Sequence, residues 1–138
     1  MRAIRFRGKN AGGEWLYGSV IIDEYERSDG KNFNVAFIAE GLPCMEQPND
    51  MWTARMQRVE PSTVGQFTTL RDKNGKEIYE GDILKVGEEK TLIEVRFVRG
   101  VFAFLWNGDL DDEFPCNAPT QEWAEIVGNI HDNPEMIK

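Results

Sequence analysis

The residues best equipped for chemistry in this chain are its clustered carboxylates. Asp109, Asp111, Asp112 and Glu113 fall within five positions, a set that could hold a hard cation or supply an acid and a base. Glycoside hydrolysis by two carboxyl groups requires them to face each other across a cleft, whereas adjacent loop carboxylates turn toward solvent. Asp72-Lys73-Asn74-Gly75 begins like a calcium loop, but an EF-hand places Gly sixth and Glu twelfth. Here Gly75 is fourth and Ile83 twelfth, so the stretch reads as a hairpin turn. The single histidine, His131, would need an activated serine beside it, and Ser19, Ser28 and Ser62 lie in no G-x-S-x-G elbow. Gly8, Gly12 and Gly13 form neither a Walker loop nor GxGxxG. Cys44 and Cys116 are far apart with no CxxC spacing and read as reduced thiols. No catalytic, cofactor-binding or metal-ligating residue is expected, and the chain reads as a non-enzyme.

A length of 138 residues suits one domain or two small lobes, and 41% hydrophobic residues with four tryptophans promise a real core. No apolar run approaches the ~18 residues of a membrane helix. The start, residues 1–7, is basic and alternating with no apolar signal region, so the expected compartment is the cytoplasm. A net charge of −8 argues against nucleic acid as a partner. The charge is uneven, however. Arg2, Arg5, Arg7 and Lys9 open the chain without an acid among them, and Glu88, Glu89 and the 109–113 cluster come later. Basic start and acidic loop are complementary between copies, which makes Arg5, Arg7, Asp109, Asp111 and Asp112, with the aromatic anchors Trp15 and Trp52, the candidate interface. The alternative is a nucleic-acid-associated protein that uses the basic stripe 2–9 and an aromatic platform of Trp15, Tyr17, Trp52, Phe67, Trp106 and Trp123.

These residues must be carried by strands. Ile4 and Phe6 alternate with Arg5 and Arg7. Residues 14–23 are rich in Trp, Tyr, Val and Ile, and residues 33–40 form a third strand with Phe33, Val35 and Phe37 on one face. Residues 49–58 fit a short helix or an edge strand. Residues 66–71 and 76–79 flank the Asn74-Gly75 hairpin signal. Gly81-Asp82 turns the chain into residues 83–86. Residues 92–98 alternate, with Ile93, Val95 and Phe97 inward and Glu94 and Arg96 outward. Gly100 closes a two-residue turn into residues 101–106, and Thr120 is placed to cap a helical turn over 120–125. The expected class is mainly β to α+β with little helix: a β-rich segment over residues 1–60 packed on a small SH3-like, barrel-like domain over 61–138, the two able to fold as one unit.

RAIRFRGK at residues 2–9, WLYGSV at 15–20, TVGQFTTLRDKNGKEIYEGDIL at 63–84 and VGNIHDNPE at 127–135 together resemble the YopX family of phage and prophage proteins, in the family's order and over nearly the whole chain. Members commonly read Gly where Thr69 stands and often Tyr where His131 stands. The resemblance implies a phage or prophage origin, a bacterial cytoplasm and a homo-oligomer. It brings no activity, cofactor or catalytic residue. The expectation is therefore a self-assembling binding or accessory module with a phage or host protein as partner.

Overall fold

Three hairpins of this chain are closed by one device. In each, the amide of the first turn residue donates to the carbonyl of the fifth, and the amide of a glycine in fourth place donates to the carbonyl of the first. The pairs are Asn10 with Glu14 and Gly13, Arg27 with Lys31 and Gly30, and Asp72 with Lys76 and Gly75, all at 2.8–3.0 Å. Gly13, Gly30 and Gly75 have φ of 82°, 80° and 80°, a region that costs glycine nothing because it has no Cβ. Asn74 does not share the positive φ of Gly75. The turn at 72–76 is thus the three-residue class with a left-handed glycine, not the two-residue Asn-Gly turn the sequence suggested. Arg99 and Gly100, with φ of 50° and 84°, do form a two-residue turn with both residues left-handed.

The computed structural model describes residues 3–40, 56–87, 91–107, 109, 113–115 and 120–137, the 113–115 segment by its backbone. The chain divides into two units, one of Ala3–Gln66 and one that begins at Phe67. In the first unit, β1 (Phe6–Lys9), β2 (Trp15–Glu26), β3 (Asn32–Ala39), β4 (Met56–Val59) and the start of β5 (Gly65–Arg71) pair antiparallel in the order β4-β3-β2-β1-β5. The ambiguous stretch 49–58 is a strand from Met56; residues 49–55 lie outside the described set. Leu16, Ala36, Ile38 and Val59 form the core, with Phe6, Val20 and Val64 against it. Gly18 is there for close packing: a Cβ on it would stand 2.0 Å from the Ala39 carbonyl oxygen.

The second unit holds the end of β5, then β6 (Glu77–Tyr79), β7 (Asp82–Val86), β8 (Thr91–Val98), β9 (Val101–Trp106), β10 (Glu113–Pro115), α1 (Thr120–Trp123) and β11 (Ala124–Asn129). Its sheet runs β10-β9-β8-β7-β11, antiparallel throughout. The fold is mainly β. Ile78, Leu84, Ile93, Val95, Phe104 and Ala124 make the core, flanked by Leu70, Val86, Trp106, Trp123 and Ile126. The Gly81-Asp82 corner is pinned from three sides. The Gly81 amide donates to Val95 and its carbonyl accepts from Ile130, while Asp82 Oδ2 accepts from the Tyr79 amide at 2.7 Å.

Asp72 links two parts of this unit far apart in sequence. Its Oδ1 accepts from the Asn74 and Lys76 amides, both at 2.9 Å, and its Oδ2 from the Ile126 amide of β11 at 3.1 Å. Beside it the Thr120 hydroxyl donates to the Arg71 carbonyl at 2.8 Å, so Thr120 ties the helix to β5 and does not act as the expected cap. Burial by itself pushes the Asp72 carboxyl up, but the Ile126, Lys76 and Asn74 amides and the Lys76 charge outweigh it and hold the group below its usual value.

β8 departs from simple alternation. Ile93 and Val95 are buried as expected, but so is Glu94, at 1% exposure, while Phe97 is 51% exposed. Glu94 is taken up by Arg96, two residues along on the same face, at 2.8 Å. Phe97 lies where β8 runs out past the core and packs edge-on against Phe102. Between Phe67 and Arg71, β5 carries an irregularity against β6, and there Thr69 sits at φ 73°. A β-branched residue in that region is strained.

Three outcomes test this account. Asp72→Asn turns a donor toward the Ile126 amide and should cost about 1–3 kcal/mol. Because the folded-state pKa is lowered, the contribution of Asp72 is complete above the unfolded pKa of about 4 and is lost as pH falls through the folded value. Urea melts from neutral to acid pH should therefore show a shallower acid loss in Asp72→Asn than in the wild type. Thr69→Gly should raise stability by about 0.5–1 kcal/mol, as left-handed strain is relieved at some entropic cost. Phe97→Ala should cost only about 1 kcal/mol, mostly its ring contact with Phe102, whereas Phe104→Ala should cost roughly 3–5 kcal/mol.

Candidate functional site

The registers of the first unit sort its side chains onto two faces. Arg7 pairs with Tyr17 and Lys9 with Trp15. Ile21 pairs with Phe37, Asp23 with Val35 and Tyr25 with Phe33, and Phe37 pairs with Arg58. Because strand side chains alternate, one face carries Arg7, Lys9, Arg58, Trp15, Tyr17, Ile21, Tyr25, Phe33 and Phe37, with Asp23 its sole β2 carboxylate. The other face carries the core residues, then Ile22, Glu24 and Glu26. Opposite charges that look mixed in the sequence are thus separated across the thickness of one ribbon.

The outer part of this ribbon is uncovered. β1 pairs with β2 only as far as Gly18, and β4 pairs with β3 only from Ala36. Beyond these points β2 and β3 pair with each other alone among the described strands, out to Glu26 and Asn32. Tyr25 and Phe33 are exposed there, as are Ile21 and Ile22 just before it, Ile22 most of all at 55%, and Tyr17 is exposed where β2 still pairs with β1. Tyr25 and Phe33 stack with ring centroids 5.7 Å apart and planes 27° from parallel. At the inner end the Arg7 guanidinium lies 4.7 Å from the Trp15 ring centre and the Lys9 ammonium 5.8 Å from it, favourable cation–π placements. Asp23 Oδ1 accepts from the Glu24 amide at 2.9 Å.

Among the interface residues expected from sequence, Arg7 and Trp15 come together, and Arg5 is half-buried just ahead of β1. Trp52, Asp111 and Asp112 lie outside the described residues, and Asp109 donates its amide to the Trp106 carbonyl at 2.9 Å. The aromatics expected to form a platform divide between surface and core among the described residues. Phe67 is buried against Tyr79, and Trp106 and Trp123 pack on the core of the second unit. Among the described residues of the first unit the exposed aromatics are instead Tyr17, Tyr25 and Phe33, with Arg58 opposite Phe37, a set that becomes visible only once the β2–β3–β4 register is known. His131 is a turn residue whose amide donates to Asn129 Oδ1 at 3.0 Å.

The second unit has a cleft of about 310 Å³ lined by Lys73, Lys85, Gly87, Glu122, Trp123 and Glu125. Its two ammonium groups are balanced by its two carboxylates, and Lys73 pairs with Glu125 at 3.3 Å. It therefore offers no net charge to a ligand. Among the described residues no group of three or more His, Cys, Asp or Glu side chains is arranged to hold a metal ion, and no helix is long and apolar enough to cross a membrane.

No curated protein matches the sequence. Among solved structures that share the fold are two that match over the full length of both chains. Protein EF1440 from Enterococcus faecalis is 22% identical with a TM-score of 0.51, and protein yopX from Bacillus subtilis is 20% identical with a TM-score of 0.52. The family model described as YopX protein matches residues 6–138, which takes in the uncovered hairpin, the Asp72 node and the closing 127–135 turn alike. On that span, the chain belongs to the YopX family.

Proposed function

We propose that this chain is a non-enzymatic accessory module of phage or prophage origin, acting in the bacterial cytoplasm by self-association and by binding another macromolecule, and that the outer β2–β3 ribbon is its working surface. The observation that carries this reading is the ribbon itself. An isolated two-stranded hairpin is marginal in water, and this one leaves Ile21, Ile22, Tyr25 and Phe33 exposed and both outer strand edges unpaired among the described residues. Free edges beside apolar side chains favour pairing with another chain. The chemistry-bearing side chains favour no reaction. Asp72, Asp82 and Glu94 spend their carboxylates on backbone amides or on Arg96.

A second reading, a nucleic-acid-associated accessory, is favoured by the gathering of cations and aromatics on one face of the same ribbon. Light scattering on size-exclusion fractions tests the first. The wild type should elute with a mass above that of one chain, and Ile21→Asp with Ile22→Asp should lower it without unfolding the protein, since both positions are exposed. A monomer at the highest concentration reached counts against self-association.

A further inference from the structure

Resting on the reading that the ribbon is a binding surface, we infer that its cationic face takes single-stranded nucleic acid. The chain as a whole has a net charge of −8, but the charge is not shared evenly between its parts. Residues 3–66 carry seven Lys and Arg against nine Asp and Glu, a net of −2. Of the acids on β2, Glu24 and Glu26 fall on the face opposite Tyr25, and Asp23, whose Oδ1 accepts from the Glu24 amide, is the one β2 carboxylate on the aromatic face. Against Asp23 the aromatic face sets Lys9 and Arg58 at its edges, with Arg7 buried beneath Trp15 adding to the field, a local excess of cations. Arg58 is exposed, so its guanidinium is open to a phosphate.

The geometry suits a flexible strand better than a duplex. From Trp15 to Tyr25 the face runs about 33 Å at ~3.3 Å per residue, within the span of the ~4–16 nucleotides that single-strand-binding surfaces cover. Aromatic rings recur along it: Trp15 and Tyr17 at the inner end, Phe37 midway, Tyr25 and Phe33 at the tip. The near-parallel Tyr25–Phe33 pair leaves ring surface on which an unpaired base can continue the stack, a contact available to every base and hidden in a duplex. Two edge cations are too few to hold a duplex by its phosphates alone. Binding here is carried by stacking, with charge as a lesser contribution.

Fluorescence anisotropy with the full chain and a labelled oligothymidylate of about 12 nucleotides tests the inference, with a blunt duplex of equal length in parallel. The single strand should bind at low salt and weaken only about sevenfold between about 50 and about 200 mM salt, the loss expected for two phosphates neutralised at a slope of ~0.7 each. Tyr25→Ala and Phe33→Ala should each weaken it about tenfold, a loss within the range for one stacked base. Arg58→Glu should weaken it most at low salt, and Phe97→Ala, in the other unit, should leave it unchanged. The inference is overturned by an absent signal at low salt, by equal affinity for duplex, or by a Tyr25→Ala, Phe33→Ala double variant that binds like the wild type. If the oligonucleotide fails while the Ile21 and Ile22 variant still breaks up an assembly, the ribbon remains a binding surface and only this inference falls. If neither variant set has any effect, both fall.

Discussion

Asp72 is buried, charged and satisfied on both oxygens by main-chain amides that lie some fifty residues apart in the sequence. A carboxylate in that position is tolerated only because every amide it faces donates to it, since a buried charge without partners is far too costly. The consequence reaches through the second unit. The 72–76 turn cannot move without breaking the bond to Ile126, and β11 cannot slip along β7 without taking that amide away. The Lys73 amide, which donates to the Ala124 carbonyl at 2.9 Å, and the Thr120 hydroxyl on Arg71 reinforce the same seam. Hydrogen bonds to an ionised acceptor are stronger than neutral ones, so one side chain sets the register of two hairpins.

The first unit is built on the opposite principle. Its inner half is held by a small core and by close backbone packing at Gly18, while its outer half consists of two strands that pair only with each other among the described residues and leave Ile22, Tyr25 and Phe33 exposed. That contrast divides the labour of the chain: a tied second unit and a first unit that extends a surface. The surface is chemically asymmetric because β-strand alternation sends neighbouring residues to opposite sides. The run Ile-Ile-Asp-Glu-Tyr-Glu at residues 21–26 looks like an acidic, mixed stretch in one dimension and becomes two different faces in three.

Much of the architecture could be read from residue order. Asn10, Asp72 and the glycines at 13, 30, 75, 81 and 100 mark turns because only a few residue types reach left-handed φ or offer a side-chain acceptor to a turn amide, and the strands between them follow. Thr69 could not be read this way. Nothing local marks a β-branched residue for a left-handed position, and the bulge that places it there comes from the pairing of β5 with β6. Glu94 and Phe97 were misplaced for a related reason. Alternation identifies which residues share a face, but it is silent on where a strand leaves the core and on whether its second face is covered too.

The sequence alone determined the class of fold, the positions of the corners and the family, because these depend on local backbone preference and on long specific motifs. Tertiary structure decided which carboxylate became the central tie, which aromatics stayed in solvent and which cations joined them on one face. Those outcomes depend on register between strands distant in the chain and on the point at which neighbouring strands stop pairing, and neither is encoded in any single segment.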